Sequence, residues 1–500
     1  MGIILLLITV LTVGYLTAHF LMDTLKNRYL LAGGLEYMLL GVMMGPVAAG
    51  WYNTIIRWAG QEPTQPVELI TDSVLQSMAP AITIGVGSIG LLSGLRMRLG
   101  QGSYRSEHIQ VSVIINIVTG LMLGIPALIG MVWYVEGSAA FATTTPFFTD
   151  PLANLRELFT SFTSAPIGEL MPLTLLMVAT GIVSATRPIE YTIERYGATG
   201  PLSRFAISAA ELSGVFGILT FGLVFSIAHP EQSSIRQFTT VEWLVIEVAV
   251  GVLFGLMFSL FIAREDESDK LLVALLGIIV FATGVAYFLK LSPIFINFFL
   301  GLTLANTSPF SERLLEKLTQ VEKPFYIVLY FFAGVAWRPG GAPWWAVLLL
   351  IALYFALRWG GRTMGGGLAS RAVDDERVPN IRGLGTGLLA QGGLSVAMVL
   401  NYALVHSAPR GGTWVFAYGL KPDMAGVKEV LKQGVALPEH NLVALVSTII
   451  LANILISELL AFRLTRNLLI DANEIEPTVK LVPEDMYAHQ ERSEPKTGTG

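Results

Sequence analysis

Apolar residues run along this chain in blocks of about 20, from Ile3 to Phe462, with short polar loops between them. A bilayer core roughly 30 Å thick is crossed by about 20 apolar residues in a helix. The blocks predict thirteen spans, starting near Ile3, Ala32, Ser77, Val111, Gly168, Phe205, Val241, Leu271, Ser292, Pro324, Trp344, Leu384 and Asn441. The expected fold class is an all-α membrane protein. Residues 1–466 form one transmembrane domain, and residues 467–500 form an acidic, disordered cytoplasmic tail with Glu474, Glu476, Glu484, Asp485 and Glu494.

Basic residues set the orientation. Three clusters, Arg96, Arg98, Arg105, then Arg187, Arg195, Arg204, then Arg362, Arg371, Arg377, Arg382, fall on one side of the thirteen spans. The positive-inside rule makes that side cytoplasmic, which puts the N-terminus outside and the C-terminus inside. The first block, Ile3 to Met22, lacks a basic segment before it and a small-residue cleavage site after it, so it reads as a retained span. Two outer segments are long, Glu136 to Pro166 and His406 to His440, and rich in Thr, Ser, Pro and Gly.

Composition agrees with a lipid environment. In 500 residues, 53% are hydrophobic and 14% charged, outside the range of soluble domains. The 50 glycines and 24 prolines sit inside apolar runs, where close helix packing and broken helices tolerate them. There is no cysteine, which excludes disulfides, thiolate metal sites and cysteine nucleophiles.

A charge at bilayer depth costs about 2.5–3.5 kcal/mol on insertion scales, so ionisable residues within the spans are functional candidates. Glu211, in Ala-Ile-Ser-Ala-Ala-Glu-Leu-Ser-Gly, is the clearest, as a transport carboxylate or as half of a structural ion pair. Arg358 lies near the cytoplasmic end of its span, either snorkelling to the interface or serving as the counter-charge to Glu211 or to a broken-helix carbonyl. Glu36, Glu247, Glu458 and His19 read as structural and stand as second-tier candidates, with Glu36 or Glu247 able to supply a second titrating group. Asn116, Asn297, Asn401 and Asn453 read as glue between helices.

Two segments invite a break in mid-span. Thr180-Gly-Ile-Val-Ser-Ala-Thr-Arg-Pro is short of apolar bulk and ends in Pro188, whose ring opposes helix continuation. In Leu389-Ala-Gln-Gly-Gly-Leu-Ser, paired glycines separate apolar stretches, and Gln391 and Ser395 can satisfy freed backbone groups; ordinary helix packing also accounts for such glycines. The segments lie in spans 5 and 12, each the fifth of a six-span half when span 7 is the connector. Discontinuous helices at matching positions of two repeats point to a midplane ion site. Gly85-Val-Gly-Ser-Ile-Gly fits a dinucleotide fingerprint but lies inside an apolar span, and no metal-ligand, P-loop or nucleophile-elbow spacing occurs. No enzyme activity, cofactor or nucleic-acid partner is expected.

Four stretches together resemble the cation:proton antiporter superfamily, in particular its bacterial sodium/proton and potassium-efflux branch. They are Glu36-Tyr-Met-Leu-Leu-Gly-Val-Met-Met-Gly-Pro, Leu291-Ser-Pro-Ile-Phe-Ile-Asn-Phe-Phe-Leu-Gly-Leu, Phe331-Phe-Ala-Gly-Val-Ala and Ala390-Gln-Gly-Gly-Leu-Ser-Val-Ala-Met-Val. The resemblance implies two inverted repeats, broken helices in spans 5 and 12, an inner-membrane homodimer, and alternating access by a core of spans 4–6 and 11–13 against a scaffold. It places Ser184, Ala185 and Thr186 in the family's unwound fifth span, Glu211 at the ion-binding position, and Arg358 at the basic position of the eleventh. Cation and proton would compete for Glu211, assisted by groups near Thr186 and Gly392, in an electroneutral exchange of Na+ or K+ for H+. Departures from the family pattern are Ala210 before Glu211, Leu394 in the second broken helix, and Arg187 with Pro188 after the first. They keep open a receptor or assembly protein without transport, and an anion transporter using Arg187 and Arg358.

Overall fold

The computed structural model describes residues 12, 16, 34–58, 70, 72–98, 106–140, 167–229, 238–262, 268–337, 343–373, 381–410, 413–416 and 438–475. The first predicted span with His19, most of both long outer segments, and the tail beyond Ile475 lie outside the described residues.

In chain order the elements are α1 (Leu35–Met44), α2 (Pro46–Trp58), α3 (Asp72–Arg96), α4 (Ser106–Ala140), α5 (Ile167–Ile182), α6 (Arg187–Tyr196), α7 (Pro201–Ala228), α8 (Thr240–Ile262) and α9 (Ser268–Phe288). They continue with α10 (Pro293–Thr307), α11 (Ser311–Gln320), α12 (Glu322–Val335), α13 (Trp344–Ala372), α14 (Ile381–Gly387), α15 (Gly392–His406), the hairpin β1 (Ser407–Arg410) and β2 (Thr413–Phe416), and α16 (Pro438–Asp471). Among the described residues, eight helices are long and apolar enough to cross a membrane, or nine when α14 and α15, bent by 50° at their junction, count as one.

Local chemistry explains several boundaries. Pro201 and Pro293 begin α7 and α10, where a missing N–H costs nothing, and Ser292 caps α10 by accepting the Phe295 N–H at 3.3 Å. Pro188 likewise falls in the first turn of α6, so its ring restarts a helix after the break. Glycine stops that helix at Gly197, whose φ of 64° is left-handed.

Glycines also decide which helices touch. A Cβ on Gly41 would sit 2.0 Å from the Phe331 carbonyl oxygen, and one on Gly334 would sit 2.0 Å from that of Met38, so α1 and α12 meet backbone to backbone. The α3–α10 crossing repeats the device, with Gly94 against the Phe298 carbonyl at 2.1 Å and Gly301 against that of Leu91 at 2.5 Å. Gly85 and Gly90 of the misleading fingerprint pack against Leu329 and Ile294 in the same region. In lipid, where apolar contact alone gives little preference between helices, such close approach supplies the attraction.

The outer faces are apolar. Val241, Val245, Leu253 and Leu260 on α8, and Leu348 and Leu349 on α13, are exposed. Polar side chains such as Thr180, Asn297, Arg358 and Ser457 are buried instead. The bridging asparagines act as sequence reasoning expected: Asn297 donates to Thr283 Oγ1 at 3.1 Å, Asn401 to Ser292 Oγ at 3.0 Å, and Asn453 to the Ile351 carbonyl at 3.3 Å. At the C-terminal end α16 continues to Asp471, and Glu474 then accepts the Leu202 N–H at 2.6 Å and the Ser203 N–H at 3.0 Å, capping α7.

Candidate functional site

Helix α5 ends at Ile182 and α6 starts at Arg187, so residues between them carry carbonyls and amides without helical partners. The same happens between Gly387 and Gly392. The two unwound segments meet, the Ala185 N–H donating to the Ala390 carbonyl at 2.9 Å and Ser184 Oγ to the Leu388 carbonyl. Gly392 starts α15 with φ 66°, and a Cβ there would lie 2.6 Å from Ala185 Cβ, so only glycine fits.

Two arginines of α13 fill the crossing. Arg358 is fully buried, its Nε donating to the Gly181 carbonyl at 2.8 Å, Nη2 to that of Val183 at 3.0 Å, and Nη1 to that of Leu389. A single guanidinium thus holds the C-terminal ends of both half-helices, where the helix dipole is negative. One turn on, Arg362 is equally buried and donates to the carbonyls of Ile182 at 2.5 Å and Val183 at 3.1 Å, with Asn116 Oδ1 at 3.5 Å. Arg358 therefore sits inside the helix bundle and away from the interface, because its acceptors are in the break. Arg362, expected in a cytoplasmic basic cluster, is drawn inward for the same reason.

The sequence-predicted residues divide. Gln391 Nε2 and Ser395 Oγ both donate to the Thr180 carbonyl, at 2.9 and 3.2 Å, so they join Ser184, Gly392 and Arg358 at the crossing. Thr186 accepts from Arg96 Nη1 at 3.2 Å, and Arg187 pairs with buried Glu322 at the start of α12. Glu36 accepts the Gly34 N–H at 3.0 Å at the start of α1, where Gly34 lies against the Tyr330 ring. Glu247 is buried on α8 and accepts the Ser292 N–H at 3.1 Å. Glu211 is half-buried on α7. The α7 face nearest the crossing carries Gly214, within 3.5 Å of Leu394 for an added Cβ, and Gly217, against Val183. At about 100° per residue, Glu211 lies on the adjoining stripe with Arg204 and Ser208.

Three charged residues were not assigned to the site by sequence reasoning: Arg362, Glu322 and Glu458. The signal for Arg362 was its i+4 spacing from Arg358 on a glycine-rich face. Gly361 and Gly365 press that face onto α4, where an added Cβ would lie 2.8 Å from the Cα of Thr119 and of Ile115. Glu458 was read as structural; it is buried on α16 and accepts the Gly392 N–H at 2.8 Å, at the positive start of α15. The ends of broken helices, with their charged partners, can hold and release small ions without a dedicated cage of side chains.

No family model and no curated protein matches the sequence. The fold does match solved structures. The sodium proton antiporter MjNhaP1 from Methanocaldococcus jannaschii at pH 8 superposes with a TM-score of 0.58 and 14% identity, over 93% of this chain and 98% of that one. An electron-microscopy structure of the same antiporter gives a TM-score of 0.52 and 13% identity, over 95% and 98% of the two chains. The described helices, with their apolar outer faces and buried charged crossing, share the fold of that antiporter.

Proposed function

We propose that this protein exchanges a monovalent cation, sodium or potassium, for protons by alternating access. The observation that carries the reading is Arg358 bonded to carbonyls of both half-helices at a crossing buried among apolar spans. Fold likeness to a sodium proton antiporter over nearly the whole chain supports it. Glu211, Thr186, Ser184 and Gly392 are the proposed groups for cation and proton, with Arg358 as counter-charge. Gln391, Ser395 and Arg187 support them, and Glu36 and Glu247 are secondary groups.

Thirteen spans in two inverted repeats fit the helices. The nine spans counted above, the shorter helices α1, α10 and α12, and the apolar run from Ile3 together make thirteen. Under that numbering α1 against α12 is span 2 on span 10, and α3 against α10 is span 3 on span 9. A repeat shifted by seven spans exchanges these two pairs, and both cross through glycines. We read the protein as an electroneutral inner-membrane exchanger, N-terminus outside and C-terminus in the cytoplasm, working as a homodimer with residues 1–466 in the membrane and 467–500 as tail.

The test is reconstitution of the purified chain into liposomes holding a pH dye, with sodium or potassium pulses applied to wild type and to Glu211→Gln. Wild type should dissipate the pH gradient and Glu211→Gln should not. Wild type silent to both cations from pH 6 to 9, while folded, overturns exchange in favour of a receptor or assembly role. Flux that follows the anion instead indicates anion transport.

A further inference from the structure

Two guanidinium groups and two half-helix N-termini put positive charge at the crossing, and the hydrogen bonds of Arg358 and Arg362 all go to carbonyls and Asn116. The carboxylate that reaches the same point is that of Glu458. Its Oε1 accepts the Gly392 N–H at 2.8 Å and lies 3.8 Å from where a Gly392 Cβ would be, while Ala185 of the first unwound segment approaches that position at 2.6 Å. Glu458 is buried at 5% exposure, yet its second oxygen has no hydrogen bond among the described residues.

The surroundings of α16 reinforce this placement. Thr465, two helical turns from Glu458 on the same stripe, donates to the Gly387 carbonyl at 3.4 Å. Helix α16 thus spans the break, with a donor at the C-terminal end of α14 and an acceptor at the N-terminal start of α15. An N-cap serves that purpose with one oxygen of a Ser or Asp, and a neutral acceptor suffices. A full carboxylate with an open oxygen, placed in apolar helices where each charge is costly, has a use beyond capping.

We propose that Glu458 is a second exchanging carboxylate, built into the crossing itself, where a proton and a monovalent cation compete. The proposal rests on the exchange reading above and assigns a residue on α16 to it. With the carboxylate ionised, its open oxygen offers a ligand to a dehydrated cation between the broken segments. With that oxygen protonated, the positive charges of the crossing are uncompensated there and the cation leaves. The charged and titratable groups facing it are Arg358 from α13, with Arg362 one turn away, and Tyr330 from α12. From α6, Tyr191 packs on Phe462, one turn of α16 along.

Proton release is the direct test. The full chain in detergent, in weakly buffered solution between pH 6.5 and 8.5, receives NaCl or KCl, with choline chloride as control, and the protons released per chain are counted. Glu458→Gln keeps the acceptor for the Gly392 N–H but can neither ionise nor take a proton. It should release less than half the protons of wild type while eluting as the same folded species. Glu458→Asp, which withdraws the carboxylate by one methylene, should release protons at roughly tenfold higher cation concentration, and it serves if the glutamine variant does not fold. Release unchanged in both variants, in amount and in cation dependence, makes Glu458 a cap and overturns the proposal. If that result accompanies loss of release in Glu211→Gln, the exchange reading stands without Glu458. No cation-dependent release from wild type overturns both.

Discussion

Replacing Arg358 by lysine separates the shape of the guanidinium from its charge. Arg358 makes three hydrogen bonds from a planar fork, to the carbonyls of Gly181, Val183 and Leu389. An ammonium on a flexible stem keeps the charge but cannot serve acceptors on two segments in that fixed geometry. Hydrogen bonds between helices in a membrane average about 0.6 kcal/mol and reach about 1.7, while those to charged groups in proteins are about 1.5–3 kcal/mol. Taking about 1 kcal/mol per bond, Arg358→Lys, retaining one bond, loses about 2 kcal/mol, and Arg358→Gln loses about 3 kcal/mol. The assay is unfolding in mixed micelles titrated with a denaturing detergent, with amide hydrogen exchange read at residues 181–185 and 388–392. Exchange should rise in both segments for either variant, since one side chain ties them together. A lysine variant within about 0.5 kcal/mol of wild type, the scatter of an uninvolved surface site, would refute the reasoning and leave charge alone as the role of Arg358.

Three further perturbations probe the frame around the crossing. In Gly392→Ala the left-handed φ of 66° costs about 1–2 kcal/mol, and the new Cβ meets Ala185 at 2.6 Å, so thermal unfolding in detergent should occur several degrees lower; an unchanged midpoint would contradict the packing. Gly334→Val places a branched side chain where even a Cβ lies 2.0 Å from the Met38 carbonyl, so α1 and α12 must part at about 1–3 kcal/mol; cysteine crosslinking between the two helices should weaken, and undiminished yield would contradict the contact. Arg187→Glu sets a carboxylate against buried Glu322 and should destabilise the protein, while the exchanged pair with Glu322→Arg should recover most of the loss. A double variant no better than the single one would show that the two residues do not act as a pair.

Sequence reasoning read the apolar helical character of the chain, of whose thirteen expected spans the described residues show eight or nine, because that signal is local: each helix must satisfy its own backbone in lipid and show apolar side chains outside. Both breaks were visible, one through Pro188 with small neighbours and the other through the glycines at 392 and 393. Gln391 and Ser395 were chosen from the second break, Arg358 as a charge within a span, and Ser184 and Gly392 from the family resemblance, and the structure gathers them at one crossing. Arg362 was misplaced because a basic residue near a span's end looks the same in sequence whether it faces water or a neighbouring break. Glu458 was left in the second tier as structural because nothing in Leu-Ile-Ser-Glu-Leu-Leu indicates which helix it faces. Glu211, the most conspicuous acid in the sequence, sits on a flank of α7 that hydropathy could not distinguish from the face toward the crossing.

The sequence by itself determined the predominantly helical, apolar architecture and the places where helices cannot continue, since these depend on each segment against its solvent. Only the tertiary structure decided which charges meet. The orphan carbonyls of residues 181–183 and 389 lie far along the chain from Arg358 and Arg362, and Gly392 is likewise distant from Glu458. Their pairing depends on glycine faces that let α13 approach α4 and α14, and on α16 lying across the break, so it is a property of helix packing that no single stretch of chain contains.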